Sequence, residues 1–151
     1  MTTLKEGDNA PDFSGIDQNG NKISMEDYKG SKVIIYFYPK DDTPGCTAEA
    51  CNLRDNYSAL LKAGYNIIGV SADDEKSHQK FIKKFKLPFP LIADTDKIII
   101  MKYGVWGRKK FMGREFDGIL RTTFIINESG IIEKIISNVD TKNHTKQIFE
   151  S

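Results

Sequence analysis

The sequence predicts a three-layer α/β sandwich with a mixed central sheet and an N-terminal β-hairpin extension, and three observations lead to it. Two runs, KVIIYFY at Lys32 to Tyr38 and NIIGVSA at Asn66 to Ala72, have the β-branched and aromatic composition of strands buried on both faces. Each is followed by a stretch with apolar residues at helical spacing, the βαβα alternation of parallel strands with crossover helices. Near the C-terminus, Arg121 to Asn127 and Ile131 to Ser137 are β-rich and joined by Glu128, Ser129 and Gly130, which reads as a hairpin with Gly at the turn.

In chain order, Phe13 to Ser24 reads as an extra hairpin around Asn19 and Gly20. Pro39 ends the first long strand, and the loop KDDTPG at Lys40 to Gly45 leads into Cys46 to Lys62. There Ala48, Cys51, Leu53, Tyr57, Leu60 and Leu61 fall at the spacing of one helix. Ser77 to Phe85 carries Phe81, Ile82 and Phe85 on a single stripe closed by Pro88. Leu91 to Ala93 is a short strand. Thr95 to Tyr103 fits a helix with an Asp-rich start or an Ile-rich strand, with helix favoured. Arg108, Lys109 and Lys110 read as a solvated loop, as short charge runs usually are. A last helix over Thr141 to Phe149 completes a thioredoxin-like order. No repeat, low-complexity tract or Pro/Ser-rich linker divides the chain, so 1–151 is expected to form one domain.

Composition narrows the function. Of 151 residues, 39% are hydrophobic and 28% charged, the balance of a soluble globular protein. Lys and Arg number 22 against 21 Asp and Glu, which provides no field for nucleic acid or an anionic membrane. Met1 to Ile16 lacks the basic start and apolar run of a secretory signal, and no apolar run is long enough to span a bilayer, so a cytoplasmic location is expected. Two cysteines in such a chain are unlike a structural disulfide framework, because cytosolic reductants keep ordinary thiols reduced.

Chemistry in an open α/β sheet gathers beyond the carboxyl ends of strands, and Cys46 sits there, after Tyr38. An unperturbed thiol of pKa ~8.5 is only about 3% ionised at pH 7, so a reactive cysteine needs help from a helix N-terminus and a nearby cation. Thr43 fits either a hydroxyl offered to the sulfur site or a plain N-cap. Pro39 and Pro44 stiffen the loop. Cys51 follows Cys46 by five positions. On a regular helix this places the Cα atoms ~8.6 Å apart and about 140° around the axis. Disulfides rarely exceed ~6.8 Å between Cα atoms, so pairing these cysteines requires local unwinding. Spacing alone favours reading Cys51 as a small buried hydrophobe, since a lone pair of cysteines is a weak signal. Zinc is disfavoured, since only His78 and His144 stand available to complete a site. The acidic pair Asp41-Asp42 reads as solvated turn residues without chemistry.

The segment YFYPKDDTPGCTAEACNLRDNY at Tyr36 to Tyr57 closely resembles the peroxiredoxins, in particular the bacterioferritin comigratory protein or peroxiredoxin Q group, of the atypical two-cysteine kind. The Pro-x-x-x-Thr-x-x-Cys motif falls on Pro39, Thr43 and Cys46. The resemblance continues through GDNAPDFSGIDQNG at Gly7 to Gly20 and YGVWGRKKFMGREFDGILRTTFIIN at Tyr103 to Asn127. It implies a thiol peroxidase in which Cys46 is the peroxidatic nucleophile, Cys51 the resolving cysteine, Thr43 the peroxide-binding hydroxyl, Pro39 a shield and Arg121 the cation. Glu49 matches a position often Glu or Gln and would orient Arg121. The resemblance further implies hydroperoxide substrates, no cofactor or metal, recycling by thioredoxin or a similar dithiol reductant, and a monomer. A protein dithiol/disulfide exchanger is the rival enzyme, although the Cys-x-x-Cys spacing is absent. A redox-sensing or holdase module that exposes Cys46 to Arg54 on oxidation is the rival of another class.

Overall fold

Strand β3 (Lys32–Phe37) is the centre of the molecule, and its side chains alternate between two apolar layers. Val33, Ile35 and Phe37 face one layer; Ile34, Tyr36 and Tyr38 face the other. Burying each such side chain is worth about 1.5–3 kcal/mol, so this strand anchors the fold. A computed structural model describes residues 2–150. Among them, β3 pairs in parallel with β4 (Tyr65–Ser71), which pairs in parallel with β5 (Leu91–Ala93). On its other edge β3 pairs antiparallel with β8 (Thr122–Ile126), followed by β9 (Ile132–Ile136). The order β5-β4-β3-β8-β9 is the mixed sheet that the sequence predicts.

One face is covered by α1 (Pro44–Asp55), α2 (Tyr57–Lys62), α3 (Glu75–Phe85) and α5 (His144–Phe149), through Cys46, Ala50, Leu53, Leu60, Phe81 and Ile148. The other is covered by α4 (Ile98–Lys102) and the expected N-terminal hairpin of β1 (Ser14–Ile16) and β2 (Lys22–Ser24), with Ile99, Ile100, Tyr103, Phe13 and Ile23. Thr95 to Tyr103 therefore holds a helix, as favoured.

Three expectations need correction. The helix expected over Cys46 to Lys62 breaks at Asn56, whose side-chain amide donates to the Asn52 carbonyl at 2.8 Å and draws the backbone out of helical register. Arg108, Lys109 and Lys110 are not a solvated loop. They lie in β6 (Trp106–Phe111), paired with β7 (Arg114–Ile119) in a hairpin absent from the sequence reading. Its two-residue turn is Met112-Gly113, with φ of 52° and 78°. A turn of this shape ordinarily advertises itself as Asn-Gly or Asp-Gly, and Met at the first left-handed position conceals it. Third, Asp41 is buried rather than solvated, as described below.

The last helix begins at His144, three residues later than expected, and is capped from another part of the chain. Its own N-cap residue makes no side-chain cap bond, and Asn52 of α1 does that work instead. Asn52 Oδ1 accepts from the Thr145 N–H and from its hydroxyl, both at 2.8 Å, and Nδ2 donates to the Lys142 carbonyl at 2.8 Å. Asn52→Ala is therefore expected to cost about 0.5–2 kcal/mol, the range for losing a helix cap, seen as a lower urea midpoint with an unchanged slope.

Candidate active site

The site forms where β3 ends and α1 begins. Pro39 stops the strand and Pro44 occupies the first turn of α1, where its missing N–H is no loss. Thr43 is the N-cap, and the first intrahelical bond runs from the Thr47 N–H to the Thr43 carbonyl at 2.8 Å. The N–H groups of Gly45 and Cys46 precede that bond and so have no helical carbonyl, leaving the positive end of the helix beside the sulfur. Thr43 does not cap with its side chain. Its hydroxyl donates to the Lys40 carbonyl at 2.9 Å, which keeps its oxygen lone pairs available. Cys46 is 1% exposed.

Arg121 reaches this sulfur from the strand opposite. Phe37 pairs with Thr122, so Arg121, just before β8, stands level with the end of β3. Its Nη2 donates to Cys46 Sγ at 3.4 Å and its Nη1 to Glu49 Oε1 at 2.8 Å. Burial works against the Arg121 charge, but the sulfur and Glu49 outweigh it and raise its pKa further. Glu49 is fully buried, and burial pushes its carboxyl up to about 7 even though Arg121 pulls the other way. The helical spacing that sets Glu49 one turn after Cys46 places its carboxyl against Arg121.

The geometry also names residues that the sequence reading passed over. A Cβ on Gly45 would stand 3.1 Å from Arg121 Nη2, close enough to press the guanidinium back by a few tenths of an ångström. Lys109, from the basic run, is half-buried; its Nζ donates to the Ile119 carbonyl at 2.8 Å. Burial and then the neighbouring Arg121 charge lower its pKa. His144 lies behind Glu49, with Nε2 at 3.5 Å from Glu49 Oε2. Glycine beside a cysteine carries no marked pattern, and a histidine 95 positions from Glu49 carries none either.

Asp41 anchors the loop from below. Its carboxylate accepts from Tyr38 Oη at 2.6 Å and Ser77 Oγ at 2.7 Å and lies 2.7 Å from His78 Nδ1. Its N–H donates to Asp73 Oδ2 at 2.9 Å. Asp41, Asp73 and His78 each bring one potential metal ligand atom within 4.8 Å of the others, but the chain's own donors already occupy those oxygens. His78 and His144 belong to separate networks. Asp42 stays on the surface, paired with Lys84 at 2.8 Å. Cys51 is half-buried on the same unbroken α1, and both cysteines are free thiols.

A cysteine at a helix start, contacted by an arginine just before the neighbouring strand on a thioredoxin-like sandwich, defines a thiol-based redox enzyme. The chain belongs to the AhpC/TSA family, whose pattern matches residues 6–135. It is 45% identical over 144 residues to peroxiredoxin Bcp of Escherichia coli strain K12, covering 95% of this chain and 92% of that one. With the putative peroxiredoxin bcp of Helicobacter pylori strain J99 the identity is 42% over 151 residues, covering 100% and 99%. The structure superimposes on Xanthomonas campestris peroxiredoxin Q with a TM-score of 0.86 at 31% identity, covering 97% and 93% of the two chains. These relationships make it a peroxiredoxin of the Bcp group, a thiol peroxidase. No helix among the described residues is long and apolar enough to cross a membrane.

Gly45→Ala separates stability from chemistry. Alanine gains up to about 1 kcal/mol of helix propensity over glycine, so the fold should hold. Displacing the guanidinium should slow alkylation of Cys46 by a small electrophile at pH 7 by roughly tenfold or more, since small misplacements at a reacting centre carry such costs. Mass spectrometry of the timed reaction measures it.

Proposed function

We propose that Cys46 is the peroxidatic nucleophile and that the chain reduces hydrogen peroxide and organic hydroperoxides. The observation that carries this reading is the Arg121 guanidinium, held on Glu49 at 2.8 Å and directed at Cys46 Sγ from 3.4 Å. A fixed cation there stabilises the sulfur anion and then the charge that develops on the peroxide oxygens. The thiolate attacks the terminal oxygen, the O–O bond breaks, and the departing alkoxide or hydroxide takes a proton, leaving the sulfenic acid on Cys46. Thr43, with its acceptor lone pairs free, positions the peroxide, and Pro39 limits the entry of water. A structure of the Xanthomonas campestris bacterioferritin comigratory protein, 30% identical, concerns alkyl peroxide reduction, which supports organic hydroperoxides as substrates here.

Cys51 is the resolving thiol. Its sulfur displaces hydroxide from the Cys46 sulfenic acid, water leaves, and a disulfide forms. Because α1 is unbroken between them, this requires α1 to unwind, releasing Glu49 and the Asn52 cap of α5. A dithiol protein such as thioredoxin then reduces the disulfide by thiol exchange. The reading places the working protein in the cytoplasm as a monomer of one domain.

Two variants test the assignment by peroxide-dependent NADPH oxidation coupled through thioredoxin and its reductase. Cys46→Ser should reduce turnover to background. Cys51→Ser should consume about one equivalent of peroxide rapidly and then stall. Full turnover by Cys51→Ser would show that Cys51 is not the resolving residue, and turnover by Cys46→Ser would remove Cys46 as the nucleophile.

A further inference from the structure

The Arg121–Glu49 contact continues inward to a histidine that the peroxidase reading does not use. Hydrogen bonds fix how that histidine holds its protons. Gln147 Nε2 donates to the Asn138 carbonyl at 2.8 Å, and its Oε1 accepts the Asp140 N–H at 2.9 Å, so Oε1 is the atom facing His144 Nδ1 at 2.8 Å. Nδ1 therefore carries a hydrogen. On the other side of the ring, Nε2 meets the Thr123 hydroxyl at 2.8 Å and Glu49 Oε2 at 3.5 Å. That carboxyl oxygen is buried and has no hydrogen-bond partner among the described residues, while Oε1 is engaged by Arg121. In a neutral ring Nε2 accepts the Thr123 hydroxyl, so an ionised Glu49 would leave Oε2 as an anionic oxygen with no donor in a place shut off from water. A single proton removes the conflict.

We propose that Glu49 Oε2 and His144 Nε2 share one buried proton, which leaves the Arg121 charge to the Cys46 sulfur and makes His144 a positioning residue for the peroxide reaction. With the proton on Glu49, a neutral carboxyl lies beside a ring whose Nε2 accepts from Thr123; with it on His144, the imidazolium Nε2–H faces the Thr123 oxygen at 2.8 Å and the carboxylate at 3.5 Å. The pair is net neutral in both arrangements. If the proton is lost, Arg121 lies between two anions, and the buried carboxylate opposes the thiolate it should help.

The surroundings favour retention. Glu49 is faced by Cys46 on its own helix, Arg121 before β8, Tyr36 on β3 and His144 on α5. The Tyr36 hydroxyl is likewise buried without a partner among the described residues, and burial, then Glu49 and Cys46, keep it firmly protonated. His144 feels Arg121, Asp140 and Lys134 beyond its bonds to Thr123 and Gln147, and burial pushes its pKa below the usual value. Lys109 adds a cation that acts on Arg121 and Cys46. Burial thus favours the carboxyl as the seat of the proton.

The inference rests on Cys46 as the nucleophile, and its test separates the two. The second-order rate of sulfenic acid formation with hydrogen peroxide is measured from pH 5 to 10 for the parent, Glu49→Gln and His144→Gln. The thiolate is the reacting form in all three proteins. The parent rate should fall at high pH as the pair loses its proton. Glu49→Gln, with an amide that has nothing to lose, should show no such fall. His144→Gln offers an N–H to the carboxylate and should move the fall to lower pH by about one unit, a tenfold change in proton affinity. A fall shared unchanged by Glu49→Gln, or superimposable parent and His144→Gln profiles, would overturn the proposal. Should a variant not fold, the parent alone decides. At pH 6 it should show either the infrared C=O band of a protonated carboxyl or the ¹⁵N shift of a His144 imidazolium. An ionised Glu49 beside a neutral His144 at that pH refutes the shared proton. These spectra need no peroxide, so they stand even if Cys46 proves not to be the nucleophile.

Discussion

The Arg121 guanidinium, bridging the Cys46 sulfur and the Glu49 carboxyl, is the contact on which the site depends. It exists only because the antiparallel register of β3 and β8 sets Phe37 against Thr122. A slip of one residue would turn every β8 side chain to the opposite face and withdraw the arginine. The buried alternation of both strands, with Ile34, Ile35, Phe124 and Ile125 almost wholly enclosed, forbids that slip. Apolar packing across the sheet, not attraction between charges, thus determines where the cation stands. Once there it is held against an acid that burial would prefer to keep neutral, so that its charge is directed to the sulfur.

Helix α1 serves opposing demands. To hold the sulfur in its first turn it must be anchored, and its sheet-facing residues Cys46, Glu49, Ala50 and Leu53 do this. Asn52 ties it to α5, and Arg54 donates to the Phe85 carbonyl at 2.7 Å, so three neighbouring segments steady one helix. Yet the proposed disulfide brings Cys46 and Cys51 together only if that helix opens. Polar ties suit such an element: each is worth about a kilocalorie or so and can be exchanged for water, whereas extracting buried apolar side chains costs more. Local opening of this kind belongs to the low-stability end of a structure's range.

Much of this was legible in the sequence, and the exceptions have physical causes. The central strands, the N-terminal hairpin and the helix before Tyr103 followed from local composition and turn residues. The β6–β7 hairpin was missed because Met112 takes a left-handed conformation that sequence patterns reserve for Asn, Asp or Gly. The acidic pair at Asp41 and Asp42 looked uniform, yet one residue is buried beneath Tyr38, Ser77 and His78 while its neighbour pairs with Lys84 at the surface. The difference lies in what α3 packs beneath the loop, and adjacent residues of the same type cannot disclose that.

The sequence by itself determined a mixed α/β sandwich with a cysteine placed just after a central strand and a proline-bounded loop, because strand composition, proline and helical spacing act over a few neighbouring residues. A family motif added Arg121, which charge patterning alone did not distinguish among 22 basic residues. Only the tertiary structure decided that this arginine touches a sulfur 75 positions away, that Gly45 makes room for it, and that His144 closes the network from behind. Those contacts follow from strand register and helix docking, which are properties of the whole packed chain and leave no local period to read.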